Sequence, residues 1–282
     1  MPAVFHPLTA LLLCALVQAQ PCAAQASLPL PAPPATPLLA AAPAWEGALG
    51  VSARVAPAYL GATGAALKLH PGLFLRYGRW SLTTAGGFVT QRDDQVERGL
   101  ATELLRRGDL LVKLSLRLDG GRDTDVDPAL NGLDKVRRTL RGRLSVQAPL
   151  APGWQASAAL APDLLGRGGG LLVNAGLSRQ WRLSPDLRWG VAANVNAADA
   201  RYMQSYFGVT PAEGVRSGKP AYAPSAGLRD LGLGVGFRQD LGPHWFAFGD
   251  IGVSRLMGPT LDSPLTTRHF GWGATAGLAW RF

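Results

Sequence analysis

The sequence predicts an all-β protein: a transmembrane antiparallel β-barrel of the outer-membrane type, with about twelve strands and ten as the alternative count. Three observations carry this prediction. After Trp45 the apolar residues recur with a period of two, not 3.6. The connections alternate between tight turns and long loops, the habit of outer-membrane barrels. The final stretch, RHFGWGATAGLAWRF, is apolar at every second position back from Phe282: Trp280, Leu278, Ala276, Ala274, Trp272 and Phe270. The interleaved Arg281, Ala279, Gly277, Thr275, Gly273, Gly271 and His269 are small or polar.

Composition agrees. The 282 residues are 47% hydrophobic and 17% charged, with a formal net charge of +9 and 35 glycines. Charge is sparser than the roughly 25% of a typical soluble domain, which argues against a soluble globule with a segregated core. No stretch approaches the roughly 20 apolar residues of a membrane-crossing helix, so strands would do the crossing.

Residues 1–26 read as a signal peptide for export: LTALLLCALV is a short apolar run, and Ala24–Ala26 is a small-x-small cleavage site before Ser27. Cys14 and Cys22 both lie in this leader, so the exported chain would have no thiol chemistry. Residues 27–44, SLPLPAPPATPLLAAAPA, read as an extended Pro/Ala linker. The barrel is expected over 45–282.

The first strand, 49–59, sets Leu49, Val51, Ala53, Val55, Pro57 and Tyr59 against Gly50, Ser52, Arg54, Ala56 and Ala58. The second, 67–77, sets Leu67, Leu69, Pro71, Leu73, Leu75 and Tyr77 against Lys68, His70, Gly72, Phe74 and Arg76. Pro57 and Pro71 count against these two, because proline lacks a ladder donor. The same alternation predicts strands near 80–90, 110–119, 138–149, 154–163, 170–182, 186–196, 226–239, 244–256 and 268–282. Short turns fall at Gly78-Arg79, LAPGW, LSPDL and DLGPHW. Longer loops fall near 91–98, 120–137, 197–225 and 257–267. Parity then locates one more strand. The turn after Leu150 must lie on the same side as Gly78-Arg79, which requires a strand before 110. RGLATELLRRGD supplies it over 98–105, with a tight turn at Arg106–Asp109. The total becomes twelve, with both ends of the barrel on the periplasmic side.

The apolar set is regular enough to form a lipid-facing band with aromatics at strand ends. Phe270 and Trp272 mark one interface, and Trp280 and Phe282 the other. Leu278, Trp280 and Phe282 resemble the terminal signal read by the barrel-assembly machinery during biogenesis. The opposite face carries Arg54, Lys68, Arg76, Lys113, Arg117, Arg141, Arg143, Arg188 and Arg238, against the acidic Glu103, Asp119 and Asp250. Two readings of this basic lumen stand side by side. The charges pair with acids and fill the interior, or they make a positive field that favours anions. Charges alternating along strands argue against nucleic-acid binding.

Catalytic and metal chemistry finds little support. The histidines beyond the leader are His70, His244 and His269, with no paired spacing for zinc and no cysteine beside them. Ser263 lies six residues before His269, with no third group to orient the pair. DTDVD (Asp123–Asp127) offers alternate acids but lacks the glycine and glutamate of a calcium loop. GLGVGF (Gly232–Phe237) runs into a turn and another strand, not the helix a dinucleotide site needs. No catalytic residue, metal site or cofactor is predicted.

Four segments carry a resemblance: APAYLGA (Ala56–Ala62), GGRDTDVDPALNGLDKV (Gly120–Val136), RYMQSYFGVTPAEGVRSGKPAYAPSAGLRDLGLGVGF (Arg201–Phe237) and SRLMGPTLDSPLT (Ser254–Thr266). Together they resemble the MipA/OmpV family of outer-membrane proteins over most of 45–282. The Tyr206–Val209 stretch and the Asp262–Pro264 motif are the most specific parts. The resemblance implies an integral barrel of the Gram-negative cell outer membrane, surrounded by lipid and lipopolysaccharide. It also implies a scaffold role, since the family's namesake links a murein transglycosylase to a murein synthase. Other members look like antigens or small porins, and a narrow channel with anion preference is the alternative. The family has no agreed catalytic residues, so none are transferred.

Overall fold

The computed structural model describes residues 45–84 and 98–282. The expected leader (1–26), the linker (27–44) and the far part of the third strand lie outside the described residues. Twelve strands form a closed barrel: β1 (Trp45–Pro57), β2 (Ala65–Tyr77), β3 (Trp80–Thr83), β4 (Gly99–Arg107), β5 (Leu110–Asp119), β6 (Thr139–Ala151), β7 (Trp154–Pro162), β8 (Leu171–Arg182), β9 (Leu187–Ala198), β10 (Gly227–Asp240), β11 (Trp245–Leu256) and β12 (Phe270–Arg281). Each pairs antiparallel with its sequence neighbours, and β12 returns to β1 through a register from Ala48↔Arg281 to Val55↔Ala274. The strand located by parity is β4, with a bulge between Glu103 and Leu105. β1 starts at Trp45, four residues before the expected Leu49, because Trp45–Ala48 still find partners in Tyr77–Phe74.

Burial runs opposite to that of a soluble protein. Outward-facing Leu67 and Leu69 are 66% and 69% exposed, while inward-facing Ala48, Phe74, Phe246 and Ala279 are fully buried. An exposed apolar band of this extent is stable against lipid, not water. Pro71 sits inside β2, where it pairs across with Val51 of β1.

One end of the barrel carries tight turns, such as Gly78-Arg79 and Gly108-Asp109, where both glycines adopt φ 56°. The other end carries the long loops. The segment expected as a loop at 197–225 contains two helices: α1 (Ala200–Phe207) and α2 (Pro211–Ser217). Both have legible caps. Asp199 accepts the amide of Tyr202 at 2.8 Å. Thr210 and Glu213 form a reciprocal capping box with Pro211 in the first turn. At eight and seven residues, they are too short to impose a period of 3.6 on a chain whose flanks alternate with a period of two.

Candidate functional site: the barrel interior

The loop end is stoppered by its own loops. α1 turns Tyr202, Met203 and Phe207 onto Ala198 and Leu172 at the tops of β9 and β8, and onto Leu256 at the end of β11. A second cluster joins Leu130 and Leu133 of the β5–β6 loop to Val209, Leu265 and Tyr59. Polar ties lock the same loops together. Buried Arg122 donates to the carbonyls of Tyr206 (3.1 Å) and Asp134 (3.2 Å). Glu213 accepts the amides of Asp134 (2.9 Å) and Thr210 (2.8 Å). Burial pushes the Glu213 carboxyl up, but those amides, the Thr210 hydroxyl and the Arg122 charge outweigh it and hold it below its ordinary value.

Within the wall, the sequence-predicted basic residues divide into two populations. The first is paired. Arg141 is 0% exposed; its Nε donates to Asp119 at 2.9 Å, and its Nη atoms donate to the carbonyls of Ala161 (2.8 Å), Gly170 (3.3 Å) and Gly169 (2.8 Å). It therefore clamps the β7–β8 loop to the inner wall. Asp163 of that loop accepts from Thr139 and from the amides of Leu165, Gly166 and Gly169. Arg76 meets Glu103 at 3.3 Å, and Arg106 joins it at 2.8 Å. Arg238, Arg188 and Arg281 converge on Asp240 at 3.1, 3.6 and 3.4 Å, with the Arg238 guanidinium 3.9 Å from the Phe246 ring centroid. Phe74, Phe246 and Phe248 pack with Ala48 and Ala279 on this flank of the turn end. Lys113 is buried opposite Ser145 and Glu103, Arg143 stands opposite Ser115, and Arg117 stands opposite Arg141.

The second population is open. Lys68 and Arg54 pair across β2 and β1, Arg54 pairs with Thr275 of β12, and Thr275 with Asp250 of β11. The row continues through Gly236, Gly190 and Gln180 on β10, β9 and β8. Lys68, Arg54 and Asp250 face inward yet are exposed to water. Two cavities of about 470 and 450 Å³ share Arg54 and Asp250 in their walls; a narrower one of about 210 Å³ runs from Asp250 past Gly236 to Gln180 and Arg188. Inward glycines on β10 to β12 leave this space, with Leu231, Leu233 and Val235 outside.

The remaining sequence motifs have structural employment. Asp123 and Asp125 face the Lys135 ammonium at 2.8 and 2.6 Å, so a cation already occupies DTDVD. The Ser263 hydroxyl donates to the Phe207 carbonyl at 2.6 Å and accepts the Leu265 amide, which commits it to the stopper. Leu278 and Trp280 face outward on β12 and Phe282 follows directly after it, with the Trp280 and Phe282 rings 5.4 Å apart. Phe270 and Trp272 face outward at the other end of the strand.

Residues 49–282 match the family described as MltA-interacting protein MipA. The chain belongs to this family. The MipA family description names interaction with MltA, and the chain is an outer-membrane-type barrel. No curated protein matches the chain. Among solved structures it is similar to the KdgM porin, at 8% identity and TM-score 0.42, over 83% of this chain and 99% of that one. It is also similar to the outer-membrane channel DcaP of Acinetobacter baumannii, at 10% identity and TM-score 0.39, over 85% and 96%.

Proposed function

We propose that this MipA-family barrel is a non-enzymatic scaffold of the outer membrane that holds murein-remodelling enzymes, a transglycosylase and a synthase, at its turn end. The carrying observation is the stopper. α1 buries Met203 and Phe207 in the loop-end mouth, and the inner wall beneath it devotes Arg141, Arg76 and Arg238 to internal ion pairs. An interior built this way serves rigidity more than flux. Export by residues 1–26, reach from the linker 27–44, and recognition of Leu278, Trp280 and Phe282 by the assembly machinery belong to the same proposal. Lipid and lipopolysaccharide would contact the outward leucines and aromatics.

The test is crosslinking in intact envelopes. The expected result is capture of a murein transglycosylase from the turn-end residues, with less capture when residues 27–44 are deleted. Recovery of no murein enzyme sinks the scaffold reading. The open row Lys68–Arg54 favours a second reading, a narrow passage with anion preference. Single-channel recordings that show no conductance, or cation preference, remove it.

A further inference from the structure

Arg54 and Asp250 flank Thr275 from opposite sides, two strands apart on one transverse row. With strands about 4.8 Å apart, their backbones are separated by about 10 Å. Among the described residues no ion pair joins either of them, or Lys68, to an opposite charge. The Arg54 guanidinium reaches along the wall over Gly273, where an added Cβ would lie 3.9 Å from Nη2. Both charges look into the same two cavities, of about 470 and 450 Å³. That volume falls in the range of about 300–1,000 Å³ that holds a small ligand. Elsewhere in this wall Arg76, Arg141, Arg188 and Arg238 each meet an acid; here a cationic pair and a carboxylate are held apart with room between them.

We propose that this chamber binds a short zwitterionic peptide. Its carboxylate would rest on Arg54 and Lys68, and its ammonium on Asp250. An extended three-residue chain spans about 10 Å, the distance between the strands that carry the two poles. A simple anion would leave Asp250 opposed to it, and a simple cation would face two positive groups; only a ligand with both charges satisfies all three side chains. The inward glycines of β10 and β12 supply flat walls for a peptide backbone.

Equilibrium binding of trialanine to the full chain in detergent micelles tests this, and it reads neither conduction nor enzyme capture, so its failure is separate from failure of either reading above. Saturable binding is expected. N-acetyl-trialanine and trialanine amide should each bind about tenfold more weakly, the worth of one charged hydrogen bond. Asp250→Asn should weaken trialanine by a similar factor and leave the N-acetyl peptide unaffected; Arg54→Gln should weaken both. No saturable binding of trialanine overturns the proposal. So does equal binding of the blocked peptides, a comparison that needs no variant, and so does binding indifferent to both substitutions.

Discussion

Arg141 and Arg54 are the same residue type on the same inner face, one on β6 and one on β1, and they do opposite things. Arg141 is wholly enclosed, with an acid and three carbonyls around it. Arg54 stands in water with a neutral threonine between it and the nearest row acid. The difference lies in what the neighbouring strands carry. β5 offers Asp119 and the β7–β8 loop folds its carbonyls inward, whereas β2 sets Lys68 and β12 sets Thr275 beside Arg54. An inward arginine is therefore not in itself evidence of a selectivity filter. Its role is set by the strands on either side.

Substitutions that remove the enclosed partner should cost most. Arg141→Met removes the one guanidinium that Asp119 and the carbonyls of Ala161, Gly169 and Gly170 share, and should lower stability by about 3–5 kcal/mol in urea unfolding of the purified barrel. A change below about 1 kcal/mol would make the clamp ornamental and erase the contrast with Arg54. Thr210→Ala, which opens the capping box, should cost about 1 kcal/mol. It should be seen first as faster amide exchange in α2.

The pH response follows from Glu213. Its folded pKa lies below the ordinary 4.5, so its contribution is present above that value and is lost as pH falls through the folded pKa. Amide protection of α2 should therefore weaken below about pH 4.5, and Glu213→Gln should abolish that dependence. Arg54→Gln and Lys68→Gln should change stability by no more than about 0.5 kcal/mol. Together they should reduce any anion preference in channel recordings. Lys135→Ala, at an exposed pair with Asp123 and Asp125, should leave unfolding unmoved, because surface ion pairs in water are screened.

The barrel was legible because each strand must alternate between lipid and lumen. Leu67, Leu69 and Leu73 against Lys68, His70 and Gly72 state both the strand and its faces. Parity of the connections fixed β4 without any strong pattern of its own. The site was less legible. Sequence order says that Arg54, Arg141 and Arg238 face inward, but pairing depends on cross-strand register and on loops folding back. The carbonyls that hold Arg141 come from residues 20 to 29 positions away. The stopper helices were half legible, since Asp199 and the Thr210–Glu213 box were available as capping signals.

The stopper has a mechanical side. α1 lies against β8 and β9 through Leu172 and Ala198, against β11 through Leu256, and reaches β10 through the Tyr202 hydroxyl, which accepts from Arg229 at 2.9 Å. A rod fixed to several staves of a hoop resists flattening. Lateral pressure from the surrounding lipid would then meet this brace at the loop end and the arginines on Asp240 at the turn end.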